Sequence, residues 1–559
     1  MNSSLSVKTF LCFAALATML SSVAQAVPYA SGIDTTSNPG TVNFVLNEDA
    51  DSVVIKRTGD TDLVLGALTK GPQSFPVGAA SAWDIEVSKT TAVGWTQTSS
   101  DFDQESAFFS PKGVAINNNP ASPYFGAIYV SEGASGAVNK DPGGGSVLIR
   151  TTLDGLFIMA ADQSDTLYAG TGGQAEFGAV GLGGDWSLSS NTPFKISIAP
   201  DDSVYVAGWG DAHAGVWRAP ANLDETAAWP TVLANDNQQS SGLADNHGSV
   251  DAVWIEGTGA STVLYTMDEE WPDPASGGTF PDGRGDILRY DIGTATDYQG
   301  LPTVQVDDDT PSPDGVILNG LMDFVRDADG SWWIAQYRSD DSKSVPALSH
   351  WADGGTAPLW TSGKNAREEG DFNWDSDVDG FDFLTWQRNT GSSNTVWFGD
   401  ANLDTFVDNA DEVLWEGNFG NHIPGEVVLD GGYGDVAIHD DLDLLAVGAR
   451  NGQGVYIIDI SNPAAPELVS TVPHASRVTD VAFDAAGNVY VTSNISETLR
   501  IFSPGGAYTS TTSSNGTFSR TALGPLAGST IPEPSSLAIA LLGMIGLSGR
   551  RFSSRRSRS

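Results

Sequence analysis

The densest chemistry in this 559-residue sequence is a run of carboxylates and amides that occurs twice. Residues 371–391 read DFNWDSDVDGFDFLTWQRNTG and residues 400–420 read DANLDTFVDNADEVLWEGNFG, a duplication at a 29-residue offset. Nine positions are identical: Asp371/Asp400, Asn373/Asn402, Asp375/Asp404, Val378/Val407, Asp379/Asp408, Asp382/Asp411, Trp386/Trp415, Asn389/Asn418 and Gly391/Gly420. Calcium takes about six to eight hard oxygen ligands, and a loop of about 12 residues delivers them from positions 1, 3, 5, 7, 9 and 12, position 7 through its carbonyl. The first copy offers Asp371, Asn373, Asp375, the carbonyl of Asp377, Asp379 and Asp382; the second offers Asp400, Asn402, Asp404, the carbonyl of Phe406, Asp408 and Asp411. Two acidic turns that merely face water have no reason to match at nine positions. The expectation is therefore about two Ca2+ ions. Each loop should open a helix, with Leu384 and Trp386 or Val413 and Trp415 turned inward and Val378 pairing with Val407 in a short strand.

Other reactive residue types form no comparable pattern. The six histidines, His213, His247, His350, His422, His439 and His474, show no zinc-type spacing. His213 and His247 flank strand-like segments and are candidates for a loop at a domain mouth, although core or loop histidine is the simpler reading. There is no GxSxG elbow, and the single cysteine, Cys12, lies in an N-terminal apolar run. Asp268-Glu-Glu-Trp271 puts carboxylates beside an aromatic, as a glycosidase needs, but acids are so common in this chain that chance adjacency is the default. Asp307-Asp-Asp309 reads as a solvated loop, and Trp217, Trp254, Trp332 and Trp333 sit in strand patterns that fill cores. No catalytic residue can be assigned from these features. Two carboxylates, or a histidine with arginine or tyrosine, converging in a central funnel would point to an enzyme.

The elements around the duplication are strands. Over 28–92, Thr41–Leu46, Ser52–Lys56, Leu63–Leu65 and Trp83–Val87 predict a small β-sandwich-like domain. From about residue 109 a unit of apolar strand, polar turn, second strand and third strand recurs. Gly113–Ile116 leads to Ala127–Val130 and Ser146–Ile149; Lys195–Ile198 to Ser203–Val206 and Gly215–Trp217; Met322–Val325 to Trp332–Ile334; Asp435–Ile438 to Leu444–Val447 and Val455–Ile458; Thr479–Phe483 to Val489–Val491 and Leu499–Ile501. Repetition of this kind without helical periodicity predicts β-propeller blades, with a multi-sheet sandwich as the alternative. The wording resembles NHL-like propellers of six or seven blades.

Both ends read as address labels. Residues 1–26 form a secretory signal: Lys8, an apolar stretch from Phe10 to Leu20, and Ala24-Gln-Ala26 for cleavage. At the other end Ile531-Pro-Glu-Pro534 precedes an apolar run from Leu537 to Leu547 and then Arg550, Arg551, Arg555, Arg556 and Arg558. A membrane anchor with a positive tail would show these parts, but their order resembles the bacterial PEP-CTERM sorting signal. That resemblance implies an exosortase-type protease as partner. The duplicated loops, with Asp at position 12, resemble a dockerin type I module; Ser376 and Thr405 replace the usual turn glycine, and Gly380-Phe381 and Asn409-Ala410 replace the Ser/Thr pair of cohesin binders. Calcium binding carries over; cohesin docking carries over poorly. As a whole the chain resembles secreted PEP-CTERM proteins of planctomycete type.

The expected fold is mainly β. Its parts are a signal (1–26), the sandwich (28–92), a propeller in two parts (109–368 and 422–510), a dockerin-like insert (369–421), a linker (511–530) and the sorting signal (531–559). Removing Lys8 and the five tail arginines from 27 cations, and Glu533 from 70 anions, leaves 21 against 69, a net charge of −48 for the exported form. Such a field repels phosphate backbones and excludes nucleic acid as partner. The expected role is an exported, cell-surface or extracellular calcium-binding protein that binds a polysaccharide or matrix protein. The alternative is a polysaccharide-active hydrolase or lyase working in the propeller funnel.

Overall fold

The structure is a computed structural model that describes residues 27–141, 146–164, 174–175, 192–209, 215–224, 229–234, 250–268, 286–300, 302–306, 318, 320–337, 339, 346–363, 378, 380–391, 407–419, 427, 429, 433–450, 454–474 and 476–523. The expected signal and sorting segments, His213, His247, His422, Glu269–Trp271 and Asp307–Asp309 lie outside them. Among the described residues no helix is long and apolar enough to cross a membrane.

Six four-stranded antiparallel sheets follow one another along the described chain. Their innermost strands are Pro111–Ile116, Ile196–Ile198, Val250–Glu256, Leu321–Arg326, Tyr433–His439 and Asp480–Phe483. Each neighbours the next, and the last returns to the first, so the six strands ring a common axis. Apolar side chains fill the wedges between sheets, with Trp332, Trp333 and Trp351 fully buried. These tryptophans are therefore core residues. The ring is closed by the two-residue strand Thr96–Gln97, which pairs with Phe502 and Ser503 at the outer edge of the last sheet. Beside this closure Arg500 grips both carboxylate oxygens of Asp101 at 2.8 and 2.6 Å.

Two expectations about the repeats are corrected. The segment from Ser146 is not the third strand of the first sheet. Val147–Thr152 forms a separate hairpin with Gly136–Lys140, and Gly155–Met159 takes the third place. The sheet opened by Val250–Glu256 had no counterpart among the quoted repeats. Its first turn, Gly257–Thr262, lacks the Asp-x-x-Gly signal that marks the hairpins at Asp327–Gly330 and Asp484–Gly487.

The small β domain is a sandwich, but its chain is discontinuous. One sheet holds Ala30–Asp34, Thr41–Leu46 and Gly71–Pro76; the other runs Phe518–Leu523, Ala507–Ser513, Ala82–Thr90, Ala50–Thr58, Leu63–Leu68. The linker expected over 511–530 is thus strand as far as Leu523. Tyr508-Thr-Ser-Thr-Thr-Ser513 is Ser/Thr-rich like a linker, yet alternate residues face inward. Their hydroxyls are satisfied by the facing sheet: Ser510 Oγ donates to Pro28 O and Thr512 Oγ1 to Ala30 O, both at 2.8 Å.

Asn488 stitches sandwich to propeller. Its Oδ1 accepts from Val27 N at 2.9 Å, and its Nδ2 donates to Val27 O (3.1 Å) and to Asp484 Oδ2 (2.7 Å). Burial pushes the Asp484 carboxyl up to about 6 against these hydrogen bonds. Asn488→Ala leaves several buried polar groups unpaired and is expected to cost about 2–4 kcal/mol. Urea unfolding followed by tryptophan fluorescence measures it; a loss below about 1 kcal/mol, an ordinary exposed substitution, would contradict the role.

Candidate functional site: a charged plug on the propeller axis

Four of the six innermost strands put a charged residue at the same level, directly before an apolar one: Lys195-Ile196, Asp323-Phe324, Asp435-Val436 and Asp480-Val481. In the first sheet Gly113 holds that place, where an added Cβ would collide with the Phe194 carbonyl and sit 2.9 Å from Ser131 Oγ. Around the axis the four side chains meet. Lys195 Nζ donates to Asp480 Oδ1 at 2.5 Å, Asp435 Oδ1 at 2.7 Å, Asp323 Oδ2 at 3.3 Å and the Thr479 carbonyl at 3.4 Å. The outer lone pairs tie sheets together: Asp480 Oδ2 accepts from Val114 N (2.7 Å) and Asp323 Oδ2 from Val436 N (3.1 Å).

All four groups are buried, so Coulomb attraction here is little screened. Burial alone would lower the Lys195 pKa, but the charges of Asp323, Asp435 and Asp480 outweigh it and hold the pKa above the ordinary lysine value. Three carboxylates share one ammonium, and that imbalance also has consequences. Burial, opposed by Lys195 and reinforced by Asp435, pushes Asp323 up to about 6; burial raises Asp435 and Asp480 as well. One oxygen from each carboxylate lies within 4.8 Å of the others, a spacing that suits a metal ion, and the Lys195 ammonium hydrogen-bonds to all three carboxylates.

The plug divides the axis into two chambers. One, of about 520 Å3, is lined by Lys195, Asp323 and Asp480, by apolar side chains such as Ile198 and Phe324, and by Asn117–Asn119. The other, of about 260 Å3, lies where the innermost strands begin and is lined by Lys112, Arg450 and Arg477 with Asp435, Phe194 and Trp209 among others. Burial and the nearby Arg477 bring Lys112 down to about 8, with Glu132 pulling the other way. Burial pushes Glu132 up to about 8 against its hydrogen bond from Ser110 N. None of these residues was singled out in the sequence. The repeats already quoted contain all four plug residues: Lys195 and Asp435 open their segments, and Asp323 and Asp480 stand second in theirs.

The described histidines are structural. His350 stacks on Trp333 at 4.2 Å and bonds Ser331 Oγ through Nε2 at 2.7 Å. His439 and His474 are buried against Phe483 and Phe502, and burial, aided by Arg520 and Arg500 respectively, lowers both to about 4.

Of the expected calcium ligands, Asp371, Asn373, Asp375, Asp377, Asp379, Asp400, Asn402, Asp404 and Phe406 lie outside the described residues. Asp382, Asp408 and Asp411 are described. Helices Gly380–Asn389 and Asn409–Asn418 begin one residue after loop position 9, as the loop register requires, and they occupy the connection between the fourth and fifth sheets. Asp382 and Asp411 are fully buried, and so are Val378 and Val407. Asp408 caps the second helix: its Oδ1 accepts from Ala410 N at 2.7 Å while Asp411 Oδ2 accepts from Asp408 N at 2.8 Å. Trp386 is buried as expected, with Nε1 donating to Asp408 O. Leu384 and Val413 face outward instead, and Phe383, Leu414 and Trp415 complete the apolar contact. The helical repeat explains this, because Phe383 shares a face with Trp386 three residues on and Leu384 does not.

Comparisons with known proteins leave most of the chain without a family. No curated protein matches it. Solved structures align over most of the chain at low similarity. A Bacteroides thetaiotaomicron protein of unknown function is 10% identical over 85% of this chain and 98% of its own, with a TM-score of 0.37. A calcium structure of a Trichoderma reesei carbohydrate-active enzyme of family AA12 is 13% identical over 75% and 97%, TM-score 0.35. A Xanthomonas campestris gluconolactonase is 10% identical over 82% and 96%, TM-score 0.30. The C-terminus is specific: residues 530–556 match the PEP-CTERM protein-sorting motif, which implies recognition by an exosortase-type protease, export, and sorting to the cell envelope.

Proposed function

We propose that this envelope-sorted propeller is a binding or matrix component that holds an extracellular polysaccharide or matrix partner in its axial chambers and carries a calcium-binding insert. The observation that carries this reading is the plug. Carboxylates converge in the funnel, as an enzyme would require, but Lys195 binds one oxygen of each and backbone N–H groups also bind Asp480 and Asp323, whereas a glycosidase needs two carboxyl groups free to exchange protons with substrate. Asp371, Asn373, Asp375, Asp377, Asp379 and Asp382, with Asp400, Asn402, Asp404, Phe406, Asp408 and Asp411, are the proposed ligands of about two Ca2+ ions. A glycan-array screen of the exported protein, with and without chelator, tests the reading. Saturable glycan binding is the expected result, and an array blank in both conditions contradicts it. Polysaccharide hydrolysis or lysis remains the second reading, favoured by one observation: Lys112 and Glu132, both at about 8, could exchange a proton beside the smaller chamber.

A further inference from the structure

The charged residues that line the smaller chamber are mainly cations, in an acidic chain. In a chain with net charge −43, its lining brings together Lys112, Arg450 and Arg477 against a single carboxylate, Asp435, whose Oδ1 is committed to Lys195. Glu132 stands beside Lys112. Four buried polar atoms of the lining have no partner: Arg450 Nη1 and Arg477 Nε, both cationic donors, and Asp435 Oδ2 and Asn494 Oδ1, both acceptors. Buried donors and acceptors left without partners are costly, and they are normally satisfied by water or by a ligand. The pattern selects among ligands. Two guanidinium groups match a carboxylate, whereas a carboxylate and an amide oxygen match hydroxyl donors. Phe194 and Trp209, with ring centroids 5.0 Å apart, add an apolar wall suited to the face of a sugar ring. At about 260 Å3 the space lies just below the roughly 300–1,000 Å3 of drug-sized sites, which fits one ring and not a chain.

We propose that this chamber binds a sugar acid, a single pyranose carrying a carboxylate, with Arg450 and Arg477 on the carboxylate and Asp435 and Asn494 on ring hydroxyls. The inference rests on the binding reading above and names the ligand class. Lys112, held at about 8 by burial and Arg477, is still mostly charged at neutral pH and adds to the attraction.

Isothermal titration of the exported protein with D-glucuronate, D-glucose and inorganic phosphate tests it. Glucuronate should bind at least about 10-fold more tightly than glucose, which lacks the charge, and than phosphate, which lacks the ring. Arg450→Gln should weaken glucuronate about 10- to 100-fold and leave glucose unchanged. Arg450 packs over the Tyr337 ring rather than in the plug, so this variant keeps its fold; Arg477→Gln is the second variant, checked by its melting temperature. Equal affinity for glucuronate and glucose, or an Arg450→Gln protein that binds glucuronate as well as the parent, overturns the proposal. If neutral glycans bind on the array while glucuronate does not, the sugar-acid assignment fails and the binding reading stands; if nothing binds in either experiment, both fail.

Discussion

Replacing Lys195 by methionine is expected to destabilise the protein by about 3–5 kcal/mol at pH 8 and by much less at pH 5. Methionine keeps the unbranched stem, so what is lost is the ammonium that three buried carboxylates share. Removing one partner of a buried ion cluster costs far more than the cluster itself contributes, because the remaining charges stay desolvated. Asp323 fixes the sign of the pH dependence. Its folded pKa, about 6, lies above the ordinary 3.8, so the folded state retains a proton that the unfolded state gives up. Its stabilising contribution is fully present below 3.8 and is lost as pH rises through about 6. Asp435 and Asp480 are shifted in the same direction, and without Lys195 all three move further up. Lys195 itself is raised above 10.5, so its own titration lies above this window. Urea unfolding at the two pH values is the measurement. An equal loss at pH 5 and pH 8 would mean that only packing was disturbed.

Calcium is the second large effect. The exported protein is expected to bind about two ions, and Asp371→Ala with Asp400→Ala to abolish binding, because each change removes the first ligand of a loop. Chelation should melt the insert around Trp386 and Trp415, since a loop whose carboxylates repel one another is held together by the ion. The described part of the insert contains two short helices that share one small apolar contact. Such an assembly is too small to fold on hydrophobic burial alone. Ser376→Gly with Thr405→Gly should tighten binding, because a side chain resists the sharp turn that this loop position needs. Calorimetric titration gives both stoichiometry and affinity; unchanged stoichiometry in the double alanine variant would refute the ligand assignment.

Particular residues show what the sequence made legible. Apolar strands broken by polar turns marked five of the six sheets, and Asp-x-x-Gly turns marked two of those five, at Asp327–Gly330 and Asp484–Gly487. The third sheet was not among the five; its first turn is built on Gly257 and a Thr258 capping box. The sandwich was visible at its N-terminal half only. Its strand Ala507–Ser513 carries Ser510 and Thr512 where a sheet interior usually carries Val or Ile, and their satisfaction by Pro28 and Ala30 carbonyls is a long-range fact that no local window contains. The plug was hidden for the same reason. Lys195 and Asp480 are 285 residues apart, and only closure of the ring makes them neighbours. The proposed loop ligands, in contrast, rest on a local pattern, because a metal loop is a local structure whose chemistry and spacing coincide.

On the proposed reading the propeller axis holds a ligand without transforming it. The most direct test of that reading is to incubate the exported protein with the glycan it binds best on the array, and to measure bound ligand and released product over many hours. Saturable binding with ligand recovered intact is the expected result. Product formation that disappears in Glu132→Gln or Lys112→Met would contradict it and would establish the chamber as a catalytic site.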